Sequence, residues 1–325
     1  MATTISDVAK HAGVGVGTVS RVINDDKGVN EETRERVKRA IAELGYRPNR
    51  MASRLRRNEN KLIALMVPVI DHPFFAKLAY YIEDEADRFG YSLLLVSSQQ
   101  RAWKEKNILE CIKHREVDGA VFVTHYDHDE EDLRACPIVS LDRHFGADVP
   151  YVTSDNYDST YRAIEYLIEH GCRRIGYIGS KPIVASEVME RERAYRDAVA
   201  RYGLDPCIVN ACIPHGDEWR VVSDFFRDYP ALDGVFASGY SMAQAAYLRA
   251  EELGIDIPGQ LQLIAYDGSF GQWDFQKKRG VTCVEQPIEE MARELVRLLI
   301  AKIRGETLET RHVFPARFLV GETTR

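Results

Sequence analysis

Apolar residues recur at helical spacing over the first 45 positions, and in short continuous runs over the rest of the chain. Ile5, Val8, Ala9 and Ala12 lie on one face of a predicted helix. Thr4 is placed to cap it, and Asp7, three residues on, completes a variant of the capping box. Gly13 is placed to end it in a left-handed turn. Val16, Val19, Val22 and Ile23 resume the helical period. Asn30 predicts the cap of a third helix, with Glu31 and Glu32 in its positive first turn and Val37, Ile41 and Leu44 on its apolar face, before Gly45 stops it. Three short helices, the first two joined by a tight glycine-containing turn, predict a helix-turn-helix unit.

The glycines of AGVGVGTVSRVIN (Ala12 to Asn24) raise a competing reading, a phosphate-cradling loop. A dinucleotide fingerprint needs GxGxxG directly after a strand. Here Gly13, Gly15 and Gly17 have the wrong spacing, and the residues before them have a helical pattern. The stretch is read as the start of a second helix.

From Lys61 the pattern changes. The runs LIALMVPVI, YSLLLVSS, GAVFVT, PIVSLD, RIGYIGS, GVFASG and LQLIAYD alternate with amphipathic stretches such as FAKLAYYIEDEA and MAQAAYLRAEEL. Continuous apolar strands with crossover helices predict doubly wound, parallel α/β sheets. The strands are too many for one sheet, and a break near residues 151–160 predicts two lobes. No internal sequence repeat is visible.

Charge sharpens the division. The chain carries −7 overall, but residues 1–60 carry +4 and the remainder −11. A basic head on an acidic body suits a DNA-binding module joined to a different domain, and equally a basic tail with no partner. No apolar run reaches the roughly 18 residues of a membrane span, and the N-terminus lacks a signal-peptide core. Six scattered cysteines without a CxxC pair read as reduced, mostly buried thiols of a cytoplasmic protein.

Enzyme motifs are missing: there is no GxSxG, GxxxxGK[ST] or HExxH. His125 and His128, followed by Asp129, Glu130 and Glu131, read as a solvated acidic loop in preference to a metal site. No cofactor, metal or catalytic residue is implied. Ligands of doubly wound sheets bind beyond the strand C-termini. Those positions hold Asp71, His72, Pro73, Phe74 and Phe75, then Asp142 and Arg143, Asp155 and Asn156, and Asp267, with Trp219 and Trp273 in loops. Carboxylates, an arginine and flat aromatics suit a sugar or a similar polar ring.

The head segments TISDVAKHAGV, TVSRVIN, VNEETRERV and GYRPN closely resemble, nearly without gaps, the headpiece of lactose/galactose repressor (LacI/GalR) family regulators. The resemblance implies that the helix from Val16 to Asn24 enters the major groove of double-stranded operator DNA. Val16, Gly17 and Arg21 fall where family members meet base edges. Arg21 can bind guanine O6 and N7, Val16 offers only apolar contact, and Gly17 offers no side chain. Gly15 stands where the family usually has a serine cap, a loss of a few tenths of a kcal/mol; Gly17 inside the helix costs about 1 kcal/mol against alanine. Thr18 and Ser20 are candidate phosphate contacts, and Thr4, Ile5 and Asn24 complete the expected DNA-facing set.

Arg47 to Arg57 is dense in arginine and too short to be a stable helix alone. The resemblance implies a hinge helix, capped by Asn49, that folds on DNA in a dimer. Ala52 and Leu55 share its face, and Leu55 falls at the leucine wedged into the minor groove.

The body resembles the family's effector domain, itself similar to periplasmic sugar-binding proteins, through PFF, SDN, RRIGYIG, IAYD and EQPIEEMA. Family effector positions fall on Phe74, Asp142, Arg191, Trp219 and Asp267. Ala194 replaces a usual glycine, Gly239-Tyr240 replaces a common Asn-Asp, and Gly268 replaces an aspartate, so a hydroxyl-binding partner is missing or replaced. The expected layout is a headpiece over 1–46, a hinge over 47–60 and an effector domain over 61–325. Its first lobe is about 61–157 and 286–314, its second about 158–285 and 315–325. The chain ends shortly after Phe318 without a leucine heptad tail, which favours a dimer over the family's tetramer.

The expectation is a cytoplasmic homodimeric regulator, a repressor as most members are, controlled by a sugar or sugar derivative. Two alternatives stay open: a nucleobase co-repressor in the same family, and a sugar-binding transport protein. The basic head and missing signal peptide argue against the second.

Overall fold

The structure, a computed structural model, describes residues 3–23, 26, 28–46, 60–99, 101–123, 126–146, 148–182, 184–213, 216–268 and 280–325. It divides into two compact units, residues 1–60 and 61–325.

In the first unit, α1 (Ile5–Ala12), α2 (Val16–Ile23) and α3 (Glu31–Glu43) start and stop where local chemistry dictates. The capping box is complete: the Asp7 amide donates to the Thr4 hydroxyl at 3.3 Å, and the Thr4 amide donates to the Asp7 carboxylate at 2.9 Å. Gly13 ends α1 at φ 65°, a left-handed conformation open to glycine at no steric cost. The Thr33 amide donates to the Asn30 side chain at 2.8 Å. The apolar faces meet in a small core around Val8, Val19, Val37 and Ala40. Asn24 and the hinge positions Asn49, Ala52 and Leu55 lie outside the described residues.

The second unit holds two six-stranded sheets. The first contains β1 (Leu62–Val67), β2 (Ser92–Ser97), β3 (Gly119–Phe122), β4 (Ile138–Leu141), β5 (Tyr151–Ser154) and β11 (Arg311–Phe314) in the order β11-β5-β4-β3-β1-β2, all parallel. The second contains β6 (Ile175–Ser180), β7 (Cys207–Ala211), β8 (Gly234–Ala237), β9 (Gln262–Tyr266), β10 (Thr282–Glu285) and β12 (Arg317–Leu319) in the order β12-β10-β9-β8-β6-β7. It is parallel except for β12, which runs antiparallel to β10. The orders are equivalent strand for strand, although no sequence repeat announces it.

Helices cover both faces of each sheet, as crossover connections require. In the first lobe these are α4 (Pro73–Arg88), α5 (Ala102–Lys113), α6 (Glu130–Ala135) and α11 (Ile288–Ile303). In the second they are α7 (Asn156–Glu169), α8 (Glu190–Arg201), α9 (Glu218–Asp228) and α10 (Tyr240–Glu252). Each sheet is thus packed between two apolar clusters, and its central strands are buried along their length. The chain passes between lobes after β5, after β10 and between β11 and β12. Asp155 ties two passages together: its amide donates to the Phe314 carbonyl at 3.0 Å, and its carboxylate accepts from the Ala316 amide at 2.7 Å.

Five strands were not among the predicted runs; one is β5, four residues that include Thr153 and Ser154. β7 carries Asn210 in a half-buried strand at one sheet edge, β11 and β12 alternate half-buried and exposed residues, and β10 has four residues. None gives a long apolar run. Conversely LIALMVPVI ends as a strand at Val67, because Pro68 cannot donate to a sheet ladder. His128 is not in a solvated loop: its ring is buried, and Nε2 lies 2.8 Å from the equally buried Glu105 carboxylate. Cys136, Cys172 and Cys283 are buried, but Cys111 and Cys207 are only half-buried and Cys212 is exposed.

Candidate functional site

In the head, α2 divides cleanly. Val19 and Val22 are buried, while Gly17 and Arg21, one helical turn apart, are exposed on the opposite side. Arg21 has no ion-pair partner among the described residues, and nothing lies within 4 Å of a Cβ built on Gly17. Thr18 and Ser20 are half-buried beside them, and Thr4, exposed, caps α1. Val16 and Ile5 are half-buried and pack against the small core, so their surface is only partly available to a partner.

In the body, the strand C-termini of both lobes face one cleft of about 280 Å³. Phe74 enters from the start of α4, Asp142 from the end of β4 and Asp267 from the end of β9. β4 and β9 hold equivalent positions in the two sheets, so the lobes present matching carboxylates. Both aspartates adopt left-handed backbone conformations, φ 57° and 62°. This is a sparsely populated region for a residue with a side chain, and it is held here by the surrounding structure. The Thr153 hydroxyl donates to Asp142 at 2.7 Å. The Gln286 amide donates to both Asp267 oxygens, at 2.8 and 3.1 Å.

Arg191 sits behind this wall, buried. Its Nε donates to the Asn156 side chain at 2.6 Å, its Nη1 donates to the Ser238 carbonyl at 2.7 Å, and the guanidinium lies 3.4 Å over the Tyr266 ring. Its charge bears on both carboxylates. Burial raises the Asp267 carboxyl to about 6, with Arg191 and Gln286 opposing and Asp142 adding to the rise. Burial likewise raises Asp142, against Arg191, Thr153 and Asn156. Two enclosed carboxylates sharing one guanidinium are strong acceptors for hydroxyl donors. Gln286 adds another acceptor: its buried Oε1 has no hydrogen-bond partner among the described residues.

Two family models match the chain: "Bacterial regulatory proteins, lacI family" over residues 4–49, and "Periplasmic binding protein-like domain" over residues 164–324. The ribose operon repressor of Halalkalibacterium halodurans is 35% identical over 99% of this chain and 97% of its own length. The sucrose operon repressor of Streptococcus mutans is 32% identical over 99% and 100%. The chain belongs to the LacI family. Among solved structures, the transcriptional regulator CelR in complex with cellobiose superposes with a TM-score of 0.71 at 29% identity, covering 99% of both chains.

This LacI-family chain is therefore a DNA-binding transcriptional regulator with a periplasmic-binding-protein-like body. Of the five effector positions read from sequence, the fold brings Phe74, Asp142 and Asp267 into the cleft wall and Arg191 directly behind it. Trp219 does not line this cleft. It is exposed on α9 and lines an adjoining groove of about 330 Å³. Gln286, Ser238 and Tyr240 line the cleft but were not singled out from sequence as ligand residues. Each follows β8 or β10 within three residues, but the run GVFASG extends past the end of β8 and β10 is only four residues long, so neither strand end is marked in the sequence. No helix among the described residues is long and apolar enough to cross a membrane, and no group of three potential metal ligands occurs among them.

Proposed function

We propose that this LacI-family regulator is a cytoplasmic homodimeric repressor, not an enzyme, whose affinity for a palindromic operator is set by one sugar bound between the lobes. The observation that carries the reading is the pair of carboxylates, half-buried Asp142 and buried Asp267, presented from equivalent strand ends around Arg191. Such a site leaves unpaired buried groups when a hydroxyl partner is absent, so it discriminates sharply in favour of polyhydroxylated ligands. The relatives named for ribose and sucrose operons support the same ligand class.

The roles divide along the chain: a headpiece over 1–46, a hinge over 47–60 and an effector domain over 61–325. Arg21 reads a guanine, Val16 gives an apolar contact, Gly17 is silent, Thr18 and Ser20 meet the phosphate backbone, and Thr4, Ile5 and Asn24 complete the DNA-facing set. Leu55, with Asn49 and Ala52 on the same hinge, acts as the minor-groove wedge. Dimerisation is supported by the first lobe, which exposes Tyr80 on α4 and Leu94 and Leu95 on the edge strand β2.

Operator sites selected from random DNA, followed by gel shifts with and without a panel of sugars, test the reading. At least one sugar should shift operator affinity tenfold or more, and Asp267→Ala should abolish that response while sugar-free operator affinity persists. Coupling is reciprocal, so operator DNA must change sugar affinity by the same factor. A response to purine bases and to no sugar would overturn the proposal.

A further inference from the structure

The cleft and the adjoining groove share a partition. His72, Glu218, Tyr240 and Ser241 line both. Its core is an aromatic contact across the lobes: His72, at the N-terminus of α4 in the first lobe, meets Tyr240, the first residue of α10 in the second, edge to face at 5.8 Å. The two rings are fixed from behind. The His72 Nδ1 accepts from the Phe74 amide at 3.2 Å, and Tyr240 is 5% exposed.

On the near side lie Asp142 and Asp267 in about 280 Å³. That is just below the roughly 300–1,000 Å³ of sites that bury a drug-sized ligand, a volume that suits a single sugar ring. On the far side lie about 330 Å³ lined by Trp219, Gln244, Asp71 and Leu248. A flat indole beside a carboxylate and an amide is again chemistry that suits a sugar ring.

We propose that the His72–Tyr240 contact is a size gate that restricts the effector to single-ring sugars, and that opening it admits a two-ring sugar whose second ring reaches Trp219. The gate rests on the reading of the cleft as the sugar site. It also accounts for Trp219, which the aromatic partition separates from the carboxylates. The relatives include repressors named for a one-ring and for a two-ring sugar, so ring number is not fixed by kinship; the partition fixes it here.

The test is calorimetric titration of the full-length protein with D-ribose, D-xylose, D-glucose, sucrose, maltose, trehalose and cellobiose. Wild type should bind one or more single-ring sugars and no disaccharide. Tyr240→Ala should bind at least one disaccharide, with its preference for one ring over two reduced tenfold or more. His72→Ser opens the partition from the other lobe while keeping a capping acceptor for the Phe74 amide, and it should behave alike, so a Tyr240→Ala protein that does not fold leaves the test intact. Adding Trp219→Ala to an opened variant should remove the gained binding. Wild type that binds a disaccharide as tightly as a monosaccharide overturns the gate and leaves the sugar reading standing. So do folded variants that keep monosaccharide binding and gain nothing. If no sugar binds wild type or either variant, the sugar reading fails and the gate with it.

Discussion

The carbonyl oxygen of Asp142 in the first lobe accepts a hydrogen bond from the amide of Glu187 in the second, at 2.9 Å. The Ser186 hydroxyl donates to the same oxygen at 2.9 Å. The Glu187 carboxylate then reaches back to the first lobe, accepting from the Tyr151 hydroxyl at 3.0 Å and from Arg311 at 3.4 Å. Asp142 is thus held by the second lobe through its backbone while its side chain belongs to the cleft.

Glu187→Ala removes the two side-chain bonds of this clasp. A partly charged set of this kind contributes about 1–2 kcal/mol, so sugar affinity should fall about 5- to 30-fold as the closed arrangement loses population. Hydrogen exchange of the backbone amide at position 187 should quicken in step. Unchanged affinity and unchanged exchange would mean that the clasp does not hold the lobes.

The Asp267 carboxyl, raised from 3.8 to about 6, gives a signed pH dependence. The folded protein holds this proton more tightly than the unfolded chain, so the stabilising contribution is fully present below 3.8 and lost as pH rises through about 6. Sugar binding runs the other way. Hydroxyls donating to the carboxylate favour its ionised form, so affinity should fall as pH drops through about 6, by up to about tenfold per unit. The raised Asp142 carboxyl adds in the same direction. Calorimetry spanning roughly two units either side of that value measures the slope, and Asp267→Asn should flatten it. A wild-type slope of the opposite sign would mean that the effector accepts from a protonated Asp267.

Arg21 is exposed on the outer face of α2. Arg21→Ala should cost about 1–3 kcal/mol at the specific operator and relax preference at one base pair in each half-site. Gel shifts over half-site variants check it; an unchanged base preference counts against the assignment.

Gly17 lies one turn before Arg21 with open space where a Cβ would sit. The Cβ of Gly17→Gln therefore meets no neighbour, and the substitution removes part of the roughly 1 kcal/mol that glycine costs within a helix. Its amide can pair with adenine N6 and N7. Selection from random operators should yield a position restricted to adenine that wild type leaves free. Wild type equally restricted there would show that Gly17 is not silent.

Gly176 in β6 is needed for close packing. A Cβ there would lie 3.0 Å from Leu232 Cδ1 and closer still to Phe225 Cζ, in a core where Phe225 is fully buried. Gly176→Ala should destabilise the body by about 1–3 kcal/mol through overpacking. A lowered melting temperature with an unchanged head would register it; an unchanged melt would mean that α9 shifts freely.

The sequence by itself determined what depends on neighbours three or four residues apart. The boundaries of α1 and α3 follow from Thr4 with Asp7, from Gly13 and from Asn30, because a cap or a left-handed turn is a local hydrogen-bonding event. The central strands were legible for a related reason: burial on both faces demands an unbroken apolar run. Tertiary structure alone decided what depends on partners far apart in the chain. The edge strands β7, β11 and β12 take their place from their neighbours in the sheet, and their own residues do not require it. His128 reads as a loop histidine until Glu105, 23 positions away, is brought beside it in the interior. Asp142 and Asp267 were each visible as strand-end carboxylates, yet their equivalence arises only from two sheets wound in the same order. Trp219 marks the limit most sharply. A flat aromatic near a strand end looks like a ring-stacking residue in any sequence, but the structure sets Trp219 on α9 and not in a loop, beyond a histidine and a tyrosine that meet from opposite lobes, and no local pattern encodes that contact.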